Sequence, residues 1–292
     1  MAVRTLRTQD WFHPDGFPIA VERRDPQPPF GPHAHAFREL VIVTGGRGLH
    51  VTAGESWPLA AGDVFVISGS RPHHYREMES LCLINLLYQP RRIHWDPADL
   101  RTLPGYHALF TLEPAWRSRH AFRSRLHLTP EELGTVLGYV DRLDEELRTR
   151  GPGFGCMATA WFMHIVGYLS RCYGRAKNPD SRALLRIAKT ISHLETHFAE
   201  EVRLDTLARI AYMSKRNFTR AFQAATGRSP IAYLIRLRLN KAATLLRRVE
   251  DPVTEIAFRV GFNDSNYFTR QFRQVLGMSP REYRRQHRQL GR

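Results

Sequence analysis

"SKRNFTRAFQAATGRSP" (Ser214–Pro230) and "NDSNYFTRQFRQVLGMSP" (Asn263–Pro280) repeat one pattern: Phe-Thr-Arg-x-Phe, then Gly, then Ser-Pro. At 100° per residue, Phe218, Ala221, Phe222 and Ala225 fall on one side of a helix. Arg216, Arg220 and Gln223 fall on the other. In the second copy Phe268, Phe272 and Val275 share a face, and Asn266, Arg270 and Arg273 point away. Each helix has a polar start (Ser214; Asn263 or Asp264) and a Gly beyond its end (Gly227, Gly277) that can take the left-handed conformation closing a helix. Ser-Pro then suits the start of the next helix.

A short amphipathic stretch precedes each copy, "LDTLARIAYM" (204–213) and "VTEIAFRVGF" (253–262). Helix, tight turn, then a helix with an Arg/Asn/Gln outer face reads as a helix-turn-helix. A long amphipathic helix, about 231–248, joins the two units. Outer side chains of this kind carry the donors and acceptors that read base edges in a major groove. Two such helices on one frame reach successive major grooves about 34 Å apart. That accounts for building the same object twice.

Charge supports the same partner. The 292-residue chain carries a net charge of +15. From residue 181 onward there are 22 Lys/Arg against 9 Asp/Glu, so nearly all the excess lies with the repeat. A basic domain joined to a near-neutral one points to a polyanion, here double-stranded DNA, as partner of the basic part. The three cysteines (Cys82, Cys156, Cys172) form no CxxC pair, the start "MAVRTLRTQD" has no apolar signal core, and "LCLINLLY" is too short to span a bilayer. A cytoplasmic location without membrane attachment is expected.

"TEIAFRVGFNDSNYFTRQFRQVLGMSPREYR" (254–284) closely resembles the signature of AraC-type (AraC/XylS) transcription regulators, and the likeness spans about 187–288. It implies that Arg216, Thr219, Arg220 and Gln223 face DNA in the first unit, and Ser265, Asn266, Tyr267 and Arg270 in the second. The wheel independently selects Arg216, Arg220, Gln223, Asn266, Arg270 and Arg273. The family also implies RNA polymerase as a partner.

Residues 18 to about 90 read as β structure: "ELVIVT", "GLHVTA", "DVFVIS" and "LCLINLLY" are separated by turn signals. Within them "HAHAFREL" spaces His33, His35 and Glu39 evenly, which puts all three on one face of a continuous strand. "RPHHY" supplies His73 or His74. This resembles the cupin pattern H-x-H-x3-E with a distant His. The resemblance implies His33, His35, Glu39 and His73 as ligands of a divalent metal such as nickel, iron, manganese or zinc. Gln27 stands where that pattern has Gly, and Glu77 where it has Asn or Gln. A metal-free barrel whose histidines hydrogen-bond a ligand is the alternative.

"WFHPDGFPIAVERRDPQPPFGPHAHAFRELVIVTGGRGLHV" (11–51) and "LCLINLLYQP" (81–90) are similar to the sensor domains of the L-rhamnose operon activators. That likeness implies a sugar effector near His33, His35, Glu39, Arg47, His73 and Tyr75. Arg38 is the weakest candidate because it alternates to the opposite face, and the arm around Trp11 and Phe12 is placed as a lid.

The expected architecture is α+β and multidomain. Residues 1–128 form a double-stranded β-helix (cupin) barrel, and 129–173 a helical dimerisation segment. Residues 174–182 are a linker, and 183–292 an all-α double helix-turn-helix domain. Leu133, Leu137, Val140, Leu143 and Leu147 form a stripe that either covers the barrel or makes a homodimer seam. The reading is a ligand-responsive transcription regulator, an activator linked to carbohydrate. Its rivals are a metal-dependent cupin enzyme (sugar isomerase or dioxygenase) fused to a DNA-binding module, and a constitutive binder with a vestigial barrel.

Overall fold

A computed structural model describes residues 3–52, 54–68, 71–93, 99–114 and 126–289, which divide into two units, Met1–Ala188 and Lys189–Arg292. In the first unit the strands are β1 (Arg4–Leu6), β2 (Ile19–Arg24), β3 (His33–His35), β4 (Arg38–Thr52), β5 (Glu55–Ala60), β6 (Asp63–Ser68), β7 (His73–Tyr88) and β8 (Leu126–His127). They pair in the order β1-β3-β7-β4-β6-β8, with β2 also on β7 and β5 also on β4. Every pairing is antiparallel except β1 with β3.

Two long strands, β4 and β7, carry this barrel. Val41, Val43, Leu59, Phe65, Ile67, Tyr75, Leu81 and Leu83 pack together as one core cluster. Leu40 and Ile42, on the alternate face of β4, are equally buried, so both faces of this strand are covered. The ladder between β4 and β7 shifts register three times between Val43 and Leu49. Such bulges change which side of the strand the following residues face.

A helical turn (Pro104–Tyr106) runs into a π-helix (His107–Leu112). Two long helices follow, α1 (Pro130–Thr149) and α2 (Phe154–Gly174). Thr129 starts α1 with a capping box: its hydroxyl accepts from the Glu132 N–H while the Glu132 carboxylate accepts from the Thr129 N–H. Of the leucine stripe, Val140 and Leu143 are buried together with Val136, whereas Leu133, Leu137 and Leu147 are half-buried. The expected linker 174–182 contains non-helical residues only at 175–178. The Asn178 side chain caps the next helix, α3 (Pro179–Thr196), by accepting from the Ser181 N–H at 2.7 Å. The division between units falls later, within α3.

The second unit holds α4 (Leu204–Ile210), α5 (Lys215–Thr226), α6 (Pro230–Arg248), α7 (Val253–Arg259), α8 (Ser265–Leu276) and α9 (Pro280–Gln289). Ser214 caps α5 and Ser229 caps α6. Asp264, rather than Asn263, caps α8, accepting from the N–H groups of Asn266 and Tyr267. Gly227 and Gly277 close α5 and α8 with φ of 75° and 79°. Phe268 and Phe272 are fully buried and pack with Leu239, Leu246, Ile256 and Phe262. Phe218 and Phe222 are fully buried in the first copy.

Candidate functional site

Burial of the phenylalanines fixes what α5 and α8 present outward. Arg216, Arg220 and Gln223 are exposed on α5, with Thr219 half-buried between them. Together with Lys215 they line a shallow, open, basic groove. On α8, Asn266, Arg270 and Arg273 are exposed, and Ser265 and Tyr267 are half-buried. Tyr267 is partly a packing residue: its ring lies 6.1 Å from Phe262, and the Arg270 guanidinium sits over it at 5.4 Å. Neither helix pairs Arg216, Arg220, Arg270 or Arg273 with a carboxylate among the described residues. Their positive charge is therefore available to an external anion, as DNA reading requires.

The barrel contains a pocket of about 250 Å³. Glu39 lines it. The carboxylate lies 3.1 Å from His35 Nε2 and 3.5 Å from His73 Nε2. Burial opposes the charge on Glu39, but the two histidines outweigh it and hold the carboxyl far below the usual range. His73 is the inward residue of its pair, and His74 turns outward. Burial, followed by the neighbouring His73, pushes His33 down to about 4.

The even spacing expected to unite His33, His35 and Glu39 on one strand meets a break. Ala36 and Phe37 separate β3 from β4, and Phe37 stacks on the His35 ring at 4.5 Å. His35 and Glu39 still meet. His33 does not join them. One ligand atom each from His35, Glu39 and His73 lies within 4.8 Å of the others, and His33 falls outside that set. It packs edge-on against Phe30 at 4.7 Å and lies 4.2 Å from the His73 ring.

Tautomers follow from the outer contacts. His35 Nδ1 donates to the Phe37 carbonyl at 2.7 Å. Its Nε2 then faces Glu39 either as a second N–H donor or with a divalent cation between them. Two imidazoles, each with a backbone carbonyl behind its Nδ1, and a carboxylate are a donor set that fits nickel, iron, manganese or zinc.

Other expected residues divide. Tyr75 is buried and lines the pocket; half-buried Trp11 from the arm lines it too, beside Phe30, which the sequence reading did not single out. Phe12 packs beside them with Leu6, Phe37 and Leu87. Arg47 is a correction: it stands in the bulged part of β4, exposed, with its guanidinium 2.5 Å from Glu79. Arg38 lies on the opposite face, as its parity indicates.

Two polar residues escaped the sequence reading. His50 is buried, 5.7 Å from the His73 ring and 5.5 Å from Tyr75. Asn85 lines the pocket, and its buried Oδ1 has no hydrogen-bond partner among the described residues. A lone amide inside "LCLINLLY" was the available signal for Asn85.

Comparison with known proteins agrees with both halves. A family model described as a helix-turn-helix domain matches residues 207–286, and one described as an AraC-like ligand binding domain matches residues 18–136. The HTH-type transcriptional activator RhaS of Enterobacter sp. strain 638 is 34% identical over 281 residues, covering 96% of each chain. The protein of the same name from Escherichia fergusonii is 34% identical over 279 residues, with the same coverage. Among solved structures, an AraC-type transcriptional regulator from Chromobacterium violaceum is 28% identical, covering 35% of this chain and 91% of its own, with a TM-score of 0.34. The chain belongs to the AraC family of transcription regulators, a DNA-binding helix-turn-helix module joined to an AraC-like ligand-binding barrel.

Proposed function

We propose that this regulator is a sugar-responsive transcription activator, and that its barrel pocket takes L-rhamnose or a close deoxy-sugar. The observation that carries the reading is the pocket itself. Asn85 Oδ1 is a buried acceptor without a partner among the described residues, and Asn85, Gln27, His33 and Glu39 line the same space. Burying an unsatisfied polar atom costs about 1–3 kcal/mol, so such an atom on a residue that lines a cavity favours a polar ligand. Trp11, Phe30 and Tyr75 supply rings for the apolar face of a sugar. The volume, about 250 Å³ and somewhat below the roughly 300–1,000 Å³ of drug-sized ligand clefts, suits a ligand no larger than one sugar ring. Full-length relatives named as transcriptional activators support the direction of regulation.

The pocket's role in this reading is recognition, without turnover. The regulator acts in the cytoplasm; no described helix is long and apolar enough to cross a membrane. It acts as a homodimer through α1 and α2, with the half-buried Leu133, Leu137 and Leu147 available for the seam, and it contacts RNA polymerase at its promoter. Arg216, Thr219, Arg220 and Gln223 meet one DNA segment; Ser265, Asn266, Tyr267, Arg270 and Arg273 meet the other.

A second component rests on the His35–Glu39–His73 cluster. These three would hold a divalent metal, which would supply a Lewis-acidic anchor for sugar hydroxyls. The enzyme alternative requires turnover of a bound sugar by the metal-loaded protein.

Titration calorimetry with a panel of sugars, with and without a chelator, tests the proposal. L-Rhamnose should bind, and Glu39→Ala should weaken it by about tenfold or more. Binding abolished by the chelator supports the metal. No binding by any sugar refutes the carbohydrate assignment and leaves DNA binding untouched.

A further inference from the structure

Residues 38 and 39 of β4 sit on different faces of the same sheet. Glu39 lies opposite Leu87 on β7, and both line the barrel pocket. One step along, Arg38 lies opposite Tyr88, and both line a separate cavity of about 190 Å³. The two cavities share no lining residue. The second is closed by Phe110 of the π-helix and by Phe162 and Val166 of α2.

Its polar lining comprises Arg38 and Arg101 and the tyrosines Tyr88 and Tyr106, so it offers donors and no carboxylate. Arg38 is half-buried, and its Nη1 donates to the Phe110 carbonyl at 3.3 Å. Among the described residues no carboxylate pairs with it. A guanidinium has five N–H donors, and a cation withdrawn from water without a counter-ion is costly. The Tyr88 hydroxyl is also buried, and among the described residues its polar neighbour is the Arg38 guanidinium. Burial pushes it up to about 12, with Arg38 pulling the other way. The phenol therefore stays protonated near neutral pH and can donate.

The remainder is apolar and aromatic. Tyr88 and Phe162 lie 5.1 Å apart, and Tyr106 stacks on Phe110 at 5.4 Å. A π-helical segment is an uncommon device that recurs at functional sites, and here it supplies both Phe110 and the carbonyl that steadies Arg38.

Guanidinium and hydroxyl donors set among aromatic rings and a valine match an anion with an apolar body. Carboxylate suits the planar fork of arginine, which binds it through two parallel N–H bonds. We propose that this cavity is a second ligand site of the sensor domain, taking a small monocarboxylate whose carboxylate lies on Arg38 and Tyr88 and whose apolar body lies against Phe110, Phe162 and Val166. The site is independent of whatever occupies the barrel pocket.

Phenylacetate is the probe, titrated into the full chain by calorimetry, with phenylacetamide as its uncharged counterpart. Saturable binding of the acid is expected, with the amide at least about tenfold weaker. Arg38→Met should weaken phenylacetate by about tenfold or more. Val166→Trp fills the cavity while keeping Arg38, and should abolish binding by a different route. The proposal is overturned by equal binding of acid and amide. It is overturned equally by acid binding that survives both substitutions, or by no saturable binding up to about 10 mM.

Discussion

Arg270→Ala separates a base-reading arginine from a merely basic surface. Arg270 is exposed, and its nearest favourable contact is the Tyr267 ring at 5.4 Å. An exposed contact of this kind contributes about 0.5–1 kcal/mol, so the folded unit should barely notice the substitution. If the guanidinium reads a base edge, its loss costs about 1–3 kcal/mol, or roughly 5- to 150-fold in Kd. Arg220, exposed on α5 and weakly tied to Asn217 at 3.5 Å, should behave alike. Fluorescence anisotropy on a duplex with two contact segments, scanned one base pair at a time at fixed salt, measures both effects. Arg270→Ala should relax sequence preference in one segment and Arg220→Ala in the other. A uniform loss across all sequences, with the salt slope lowered by about one, would instead mean phosphate contacts. If both variants kept specific binding, the outward faces of α5 and α8 would not be the reading faces.

Phe268→Ala should cost about 3–5 kcal/mol, because the ring is fully buried against Phe262 and Phe272; a thermal melt unchanged in the second unit would contradict this packing. Asp264→Ala removes the α8 cap and should cost about 1 kcal/mol, with weaker DNA binding confined to the second segment. Glu39 is ionised in the fold well below its ordinary value of 4.5, so its contribution is whole above that pH and is lost as pH falls below it. Acid melting curves should therefore fall more steeply for the native chain than for Glu39→Gln, and parallel curves would count against the His35–Glu39–His73 cluster. Cleavage within 175–178 should release a folded DNA-binding fragment of lower affinity, since a dimer's effective concentration is lost; an unfolded fragment would show that the unit needs the residues removed.

The helical half was legible because its determinants are local. Cap, periodic phenylalanines and closing glycine all lie within about four turns of one another, and each acts through the backbone of its own helix. The wheel therefore assigned Phe218, Phe222, Phe268 and Phe272 to the core, where they are fully buried. Tyr267 shows where that reading thins. The family resemblance nominated it for DNA, yet its ring also packs toward Phe262 across the turn that precedes α8, a contact no single-helix wheel contains.

The barrel was legible only as far as strand parity holds. Parity correctly set Arg38 against Glu39, and that alternation is what gives the sheet two separate cavities. It failed after Val43, where bulges in β4 reverse facing residues along the strand. Arg47 consequently lies outside with Glu79, and His50 arrives inside beside His73 and Tyr75. Register shifts are set by pairing with β7, some thirty residues away in sequence, so no local pattern announces them. The same limit hid the second cavity. Phe110 comes from a segment with no marked periodicity, and only the folded sheet brings its carbonyl to Arg38. A cation that composition counts as ordinary surface charge is therefore, in the fold, a half-buried donor facing an apolar wall.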